Sequence, residues 1–427
     1  MKLADLHTLF LECNAVCTDT RKIKLDDLFF ALKGDNFNGN SYAATAIKSG
    51  AKYAIIDEEQ YKTSNKTILV ENALKTLQEL AAYHRNYLKT PIIALTGSNG
   101  KTTTKELINA VLSKKYNTTA TIGNLNNHIG VPLTLLSMTA HTEIGIVEMG
   151  ANHLKEIEFL CSIAQPDYGY ITNFGKAHLE GFGGIQGVIE GKSEMYHYLN
   201  TNEKTVFVNL NDSIQKEKTQ NTKRYTFGNK PYKPDVYTHF TEAQPFVKGL
   251  YNNLEINSQL IGDYNSNNIA AAITIGRFFK VDDLDIKHAI ENYVPANNRS
   301  QIIKQGSNKI ILDAYNANPT SMQAALLNFE KQIGKKVAIL GDMFELGDSA
   351  IEEHQTIANL AQSLNIDQII FIGENFYQSQ VNTPKAIQFK SFKAFKEAFD
   401  VVSIKDTTIL IKGSRGMALE RTLKLLQ

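Results

Sequence analysis

Apolar and polar positions change period several times along the chain. Three short apolar runs come first, LFFAL (28–32), YAIID (53–57) and TILV (67–70), set among helical patterns. They are followed by NALKTLQELAAYHRNYL, in which Leu74, Leu77, Ala81, His84 and Leu88 recur at spacings of 3 and 4. That period puts the apolar residues on one stripe of a helix. Residues 1–90 therefore read as a small α/β domain. At Thr90-Pro91 the helix must stop, because proline pushes the residue before it out of the α region, and a boundary is placed there.

From Ile92 the pattern alternates strand and helix: IIALT, KELINAVLSKKY, IGIVEM, LKEIEFLCSIA, YGYITNF, a helix over 185–199, then TVFVNL. Such alternation predicts a mostly parallel sheet with helices on its faces, and ligands in such sheets sit beyond the strand carboxyl ends. Residues 222–262 lose the helical period and read as hairpins, after which NSNNIAAAITIGRFFK and DDLDIKHAIENY resume helices. VPANNRSQ reads as a linker, which closes a second domain at 91–296. In residues 297–427, IILD, KKVAIL, QIIFI and TTILI are strands separated by helical segments, a third α/β unit.

Composition narrows the classes. A chain of 427 residues, 43% hydrophobic and 21% charged, with no run near ~18 consecutive apolar residues, predicts a folded protein with no membrane insertion. Lys plus Arg number 45 against 44 Asp plus Glu, so no global field points to nucleic acid, and any anion must be held by a local site. Cys13, Cys17 and Cys161 are odd in number and lack metal-ligand spacing. With a start that lacks a signal pattern, they predict buried thiols in a cytoplasmic protein.

The strand IIALT runs into Gly97, Ser98, Asn99, Gly100, Lys101, Thr102 and Thr103, and a helix follows. A strand, a glycine-rich turn and a helix amino terminus aim backbone N–H groups and the positive helix end at phosphate. Lys101 is then placed for the β and γ phosphates and the Thr102 hydroxyl for Mg²⁺. The common pattern has a further glycine where this chain has Leu95, so the motif is a variant. Glu148 ends the strand IGIVE on the same side of the sheet, where a carboxylate can hold Mg²⁺ or simply face water. His178 follows YGYITNF at the same edge. In the helix GIQGVIEGKSEMYHYL the inward stripe is Ile185, Val188, Ile189, Met195, Tyr196 and Leu199. Lys192 falls on that stripe. A buried ammonium must snorkel, pair with a carboxylate or be modified, for instance by CO₂ to a carbamate. Spacing alone favours snorkelling or an ion pair.

Together these residues resemble the Mur ligases, the ATP-dependent amide-forming enzymes of peptidoglycan precursor synthesis, over nearly the whole chain. The family's phosphate loop reads T-G-[ST]-N-G-K-T, as residues 96–102 do here, so the missing first glycine is expected. Residues 19–39, GNLNNHIGVPLTLL, LDAYNANPTSM, GDMFELG and KGSRGM resemble segments of the member that adds D-alanyl-D-alanine, and the DNPR signature of the third-residue-adding relative is absent. His128, Ala314 and Asn298 stand where an acidic residue, serine and glycine are usual.

The resemblance implies three α/β domains: a small uridine-nucleotide-binding domain, a central parallel-sheet ATPase-like domain with a phosphate loop, and a Rossmann-like third domain. It implies ATP and two Mg²⁺ as cofactors, with a carbamate on Lys192 now preferred. The substrates implied are UDP-N-acetylmuramoyl-tripeptide and D-alanyl-D-alanine, handled by a monomer. Lys101, Lys192, His178 and Glu148 are implied as catalytic, with Thr102, Glu148, His178 and Lys192 around the metals. Asn268, Arg299 and Asp313 join the phosphate loop around ATP. The substrate residues implied are Asp19, Thr20 and Arg21 for the uridine diphosphate, then Asn124, Asn126 and Asn127 in the central loop. Tyr315, Asn316, Asn318, Lys412, Ser414 and Arg415 are implied for the dipeptide side. Another Mur-type ligase, a folylpolyglutamate-type ligase, and a phosphate-loop kinase or switch are the rivals; no Asn-Lys-x-Asp guanine signature supports the last.

Overall fold

The structure, a computed structural model, describes residues 2–295, 298–400 and 404–426. Three main sheets follow one another along the chain. The first is four-stranded and parallel, built from Val16–Cys17, Leu28–Phe30, Tyr53–Ile56 and Thr67–Leu69. Its closing helix, Ala73–Leu88, buries Leu77, Ala81 and His84 as the 3-and-4 spacing predicts, while Leu74 and Leu88 are half-buried. That helix packs on Gly130–Leu136 and Glu156–Ala164 of the next unit, and Arg85 pairs with Asp167 at 2.7 Å.

The nine-stranded central sheet places Ile92–Thr96 between Ile144–Glu148 and Tyr168–Ile171, with Thr118–Ala120 beyond the former and Thr205–Asn209 beyond the latter. Ile92–Thr96 and Ile144–Glu148 are buried at every position, as a parallel strand covered on both faces requires. Chain order reverses around Ile92–Thr96: the strands that follow are laid on one side of it, then on the other. A crevice opens at such a switch point because the loops leave in opposite directions.

The hairpin reading of 222–262 needs correction for its first part. Lys223–Gly228 extends the parallel sheet and Val236–Glu242 pairs parallel with it, while on its other side Val236–Glu242 pairs antiparallel with Lys248–Tyr251, which pairs antiparallel with Leu254–Asn257. The short helix Ser213–Lys218 supplies the crossover that makes the first of these parallel, and its six residues are too few to show a period.

The third sheet has six strands in the order Gln301–Gln305, Asn308–Asp313, Thr407–Lys412, Lys335–Gly341, Gln368–Ile372 and Ala386–Phe389. Only its first pair is antiparallel. Ala296 and Asn297 of the expected linker, with the boundary drawn between them, lie outside the described residues. The carboxyl ends of strands from the central and third sheets face a common cleft of about 560 Å³.

Candidate functional site

Helix Lys101–Leu112 begins at the loop lysine itself, because Gly100 at φ +79 turns the chain into it. Gly97, at φ +137, lies so close to the next strand's loop that a Cβ would stand 2.1 Å from Thr172 Oγ1. The loop is held by its neighbours. Thr172 Oγ1 and Asn173 Nδ2 donate to Asn99 O, Asn173 Oδ1 accepts from Asn99 N, and Ser98 Oγ donates to Gly175 O. Lys101 Nζ folds back onto its own loop, donating to Gly97 O at 2.6 Å and Ser98 O at 3.3 Å. Burial pulls its ammonium down to about 8; Glu148 opposes this and Arg299 adds to it.

Glu148 is buried and fully engaged. Its carboxylate accepts from Thr102 Oγ1 at 2.9 Å and Asn126 Nδ2 at 2.8 Å, and its backbone N–H donates to Thr121 Oγ1. The reading of Glu148 as a strand end facing water is thereby excluded. Thr121 O in turn accepts from Lys105 Nζ at 2.7 Å. Neither Thr121 nor Lys105 was singled out in the sequence; a lysine in an otherwise apolar and hydroxyl-bearing helix face was the available signal.

Lys192 lies on the buried face of Ile185–Thr201 and is 1% exposed. Val188, Met195, Tyr196 and Leu199 are buried with it, whereas Ile185, the first residue of the helix, is exposed. Its Nζ donates to Ala151 O at 2.9 Å and stands 4.9 Å from the Phe182 ring. Neither snorkelling nor an ion pair is found for it among the described residues, which corrects the preference drawn from spacing. Burial, with Lys101 adding, pushes its amine well below the ordinary lysine value, against Glu156 and Glu194.

His178 takes φ +54, and its Nδ1 stands 2.5 Å from Glu345 Oε2 of the third unit, off the line of a hydrogen bond. Among the described residues no cluster of three or more His, Cys, Asp or Glu is close enough to hold a metal. The oxygen donors at hand are the Thr102 hydroxyl and the Glu148 carboxylate, a chemistry that suits Mg²⁺.

From the third unit, Arg299 stacks on Tyr315 with its guanidinium carbon 3.7 Å from the ring centre, and its Nε is buried with no hydrogen-bond partner among the described residues. Asn298 before it takes φ +57, a conformation glycine adopts at little cost and asparagine tolerates. Asp313 accepts from Ser300 N and pairs with Lys412 at 2.5 Å. Asn318 caps Pro319–Glu330 and donates to Asn99 Oδ1 at 2.8 Å, joining the third unit to the phosphate loop. Asn268 sits one turn inside Tyr264–Phe278 rather than at its cap, accepts from Thr104 Oγ1 and packs against Gly100.

The described cleft is therefore lined by Ser98, Asn99, Gly100, Lys101, Thr102, Thr103, Glu148 and His178 from the loop side. Asn124, Asn126, Asn127, His128, Asn268, Arg299, Asp313, Tyr315, Asn316, Asn318 and Lys412 line the rest. Gly97 and Lys192 stand behind that lining through Lys101 and Ala151. Asp19, Thr20, Arg21, Ser414 and Arg415 are outside it. Ser414 is buried and accepts from Phe344 N, Arg415 pairs with Glu420, and Arg21 forms a two-bond pair with Asp19 in a surface turn.

Profiles of known families match the chain in three stretches: the Mur ligase family catalytic domain over 12–87, the Mur ligase middle domain over 95–276 and the Mur ligase glutamate ligase domain over 298–415. The UDP-N-acetylmuramoyl-tripeptide--D-alanyl-D-alanine ligase of Bacillus subtilis (strain 168) is 35% identical over 430 residues, 96% of this chain and 92% of that one. This chain belongs to the Mur ligase family. MurF from Acinetobacter baumannii superposes with a TM-score of 0.87 at 28% identity, covering 100% of this chain and 98% of that one. MurF ligase from Thermotoga maritima, solved in complex with ADP, gives 0.84 at 25% identity over 98% and 97%. The mixed α/β architecture of this Mur ligase is thus the MurF architecture from end to end.

Proposed function

We propose that the protein adds D-alanyl-D-alanine to UDP-N-acetylmuramoyl-tripeptide with hydrolysis of ATP to ADP, as a cytoplasmic monomer of three domains, 1–90, 91–296 and 297–427. The observation that carries this reading is the placement of Lys101 and the phosphate loop across one cleft from Arg299, Asp313 and Asn318. A nucleotide switch needs only the first of these walls. The full-length likeness to ligases named for this reaction supports the same substrates.

The chemistry runs in two steps. A carboxylate oxygen of the tripeptide bonds to the γ-phosphorus and ADP leaves, giving an acyl phosphate. The dipeptide amine then bonds to the acyl carbon and loses a proton, and orthophosphate departs with the original carboxylate oxygen. The protein's part is to bring two anions together, which at ~4 Å and an effective dielectric of 20 costs about 4 kcal/mol per unit-charge pair. Lys101 offsets this when phosphate draws its ammonium from Gly97 O, and loop N–H groups at the helix start contribute further. Mg²⁺, when bound, supplies charge neutralisation on the phosphates. Thr102 and Glu148 would hold it, with His178 beside them.

Lys192 fits a carbamate on its own surroundings: a buried amine, biased toward its neutral form, with no carboxylate pairing it among the described residues. Carbamoylation would turn the one misplaced cation of the apolar stripe into an oxygen donor near Ala151. Arg299, stacked on Tyr315, would meet the ATP phosphates, Asp313 the ribose and Asn268 the adenine. Asp19, Thr20 and Arg21 would meet the uridine diphosphate, with Asn124, Asn126 and Asn127 for the peptide. Tyr315, Asn316, Asn318 and Lys412 would meet the dipeptide, and Ser414 and Arg415 would shape that wall.

The test is isotopic. With ¹⁸O in the terminal carboxylate of the tripeptide, released orthophosphate acquires label and ADP does not. Amide product without labelled phosphate overturns the acyl-phosphate route; no amide product from these substrates overturns the assignment.

A further inference from the structure

The sequence segment GDMFELG, residues 341–347, has no task in the reaction as described, yet it is anchored from several directions. Asp342 accepts from Asn375 N and Phe376 N at 3.0 Å each. Met343 N donates to His354 Nε2, and Phe344 N donates to Ser414 Oγ, both at 2.9 Å. The segment is thereby bolted to the third unit up to residue 344, and the next side chain leaves it toward the central unit.

That side chain is Glu345, whose backbone sits at φ +61, and it reaches His178, at φ +54. Left-handed backbone is costly for residues other than glycine and persists where surroundings impose it. Here two such residues face each other across a domain boundary, with Glu345 Oε2 and His178 Nδ1 2.5 Å apart. Glu345 O also accepts from Glu180 N at 3.3 Å. At Gly347 a Cβ would stand 3.3 Å from Glu180, so the two loops are in close contact. His178 lines the reaction cleft, and its ring is 19% exposed against 52% for Glu345.

We propose that Glu345 is a positioning residue, by which the third domain holds His178 Nδ1 and leaves the other ring nitrogen, Nε2, free for the cleft. A carboxylate at one imidazole nitrogen fixes which nitrogen carries the proton and how the ring is turned. A small rotation of the ring completes the bond. The seating of the third domain against the central one and the orientation of His178 are thereby tied together. This rests on the ligase reading for its consequence in the reaction, though not for the contact itself.

The experiment uses the full chain with Glu345→Gln, His178→Gln and the double variant, and Glu353→Gln as comparator. Glu353 pairs with Lys176 at 2.5 Å across the same boundary without touching His178. The expected result is a fall in kcat for Glu345→Gln of roughly 10- to 100-fold with KM for ATP unchanged. In the His178→Gln background, Glu345→Gln adds no further loss, whereas Glu353→Gln has whatever effect it has alone. Full additivity of Glu345→Gln with His178→Gln, or a Glu345→Gln effect under twofold, overturns the proposal. The ring nitrogen resonances of His178, read in ¹⁵N-histidine-labelled protein, decide the contact even if the chain proves inactive on these substrates. They move in Glu345→Gln and stay in Glu353→Gln, and an unmoved signal in Glu345→Gln also overturns it.

Discussion

Two regions proposed to hold phosphates differ in how much of their shape exists before any ligand arrives. Around residues 97–102 the backbone and side chains are pinned by Thr172, Asn173, Gly175 and Glu148, and Lys101 is already parked on the loop's own carbonyls. Around residues 19–21 the only partner of Arg21 among the described residues is Asp19, two residues away in a surface turn, and that guanidinium holds the Asp19 carboxyl down at about 2. The first region lies at a switch point between buried strands, so the fold pays for its geometry. The second must trade one exposed pair for another when an anion binds, and exposed pairs contribute little either way. Preorganisation should therefore show in kcat at the loop and in KM at the turn.

The largest expected effect is at Lys101. Lys101→Ala should lower kcat by about 10²- to 10³-fold, by analogy with loss of one preorganised charge donor, with an unchanged circular dichroism spectrum. A loss seen only in KM for ATP would make the two regions alike. Lys192→Met comes next: it should lower kcat by tenfold or more and abolish any gain from added bicarbonate, a gain the unsubstituted protein should show after CO₂ is stripped from the buffer. Equal bicarbonate response in both proteins would rule out the carbamate.

A third expectation follows from the depressed Lys101. Between about pH 8 and the unfolded value near ~10.4, the unfolded chain holds a proton that the native loop lacks, so stability rises with pH across that window. Below pH 8 both states hold the proton and the penalty is full. Lys101→Met in a Lys192→Met background should flatten this slope in denaturant titrations; an unaltered slope would place the ammonium in a well-solvated site. The smallest effect is at the surface turn. Arg21→Ala should raise KM for the UDP substrate several-fold with kcat and melting midpoint unchanged, and a fall in kcat would show that the turn is more organised than its exposure implies.

Asn318→Ala probes the seam between the two walls. Losing its capping box costs about 1 kcal/mol, as cap removals do, and losing the Asn99 contact should raise KM for the dipeptide as well. Stability loss without a KM change would leave Asn318 as a cap alone.

The phosphate loop was legible in the residues themselves, because a strand, Gly97, Gly100 and Lys101 form one continuous local unit whose geometry hardly depends on distant chain. The buried face of Ile185–Thr201 was legible for the same reason, since a 3.6-residue period states which side is inward; Lys192 stood out against it. What that lysine does there was not legible: only the packing of Ala151 and Phe182 around its amine removed both solvent and carboxylate from reach. Likewise the alternation of strands and helices specified a parallel sheet and the loss of helical period an antiparallel edge, yet the parallel pairing of Lys223–Gly228 and of one side of Val236–Glu242 depended on partners chosen in space. The contacts of Asn318 with Asn99 and of Glu345 with His178 join positions far apart in sequence. Periodicity and local motifs carry the short-range energies of turns, caps and amphipathic faces. Which loops meet across the cleft is decided by how whole sheets stack, and no window of sequence contains that.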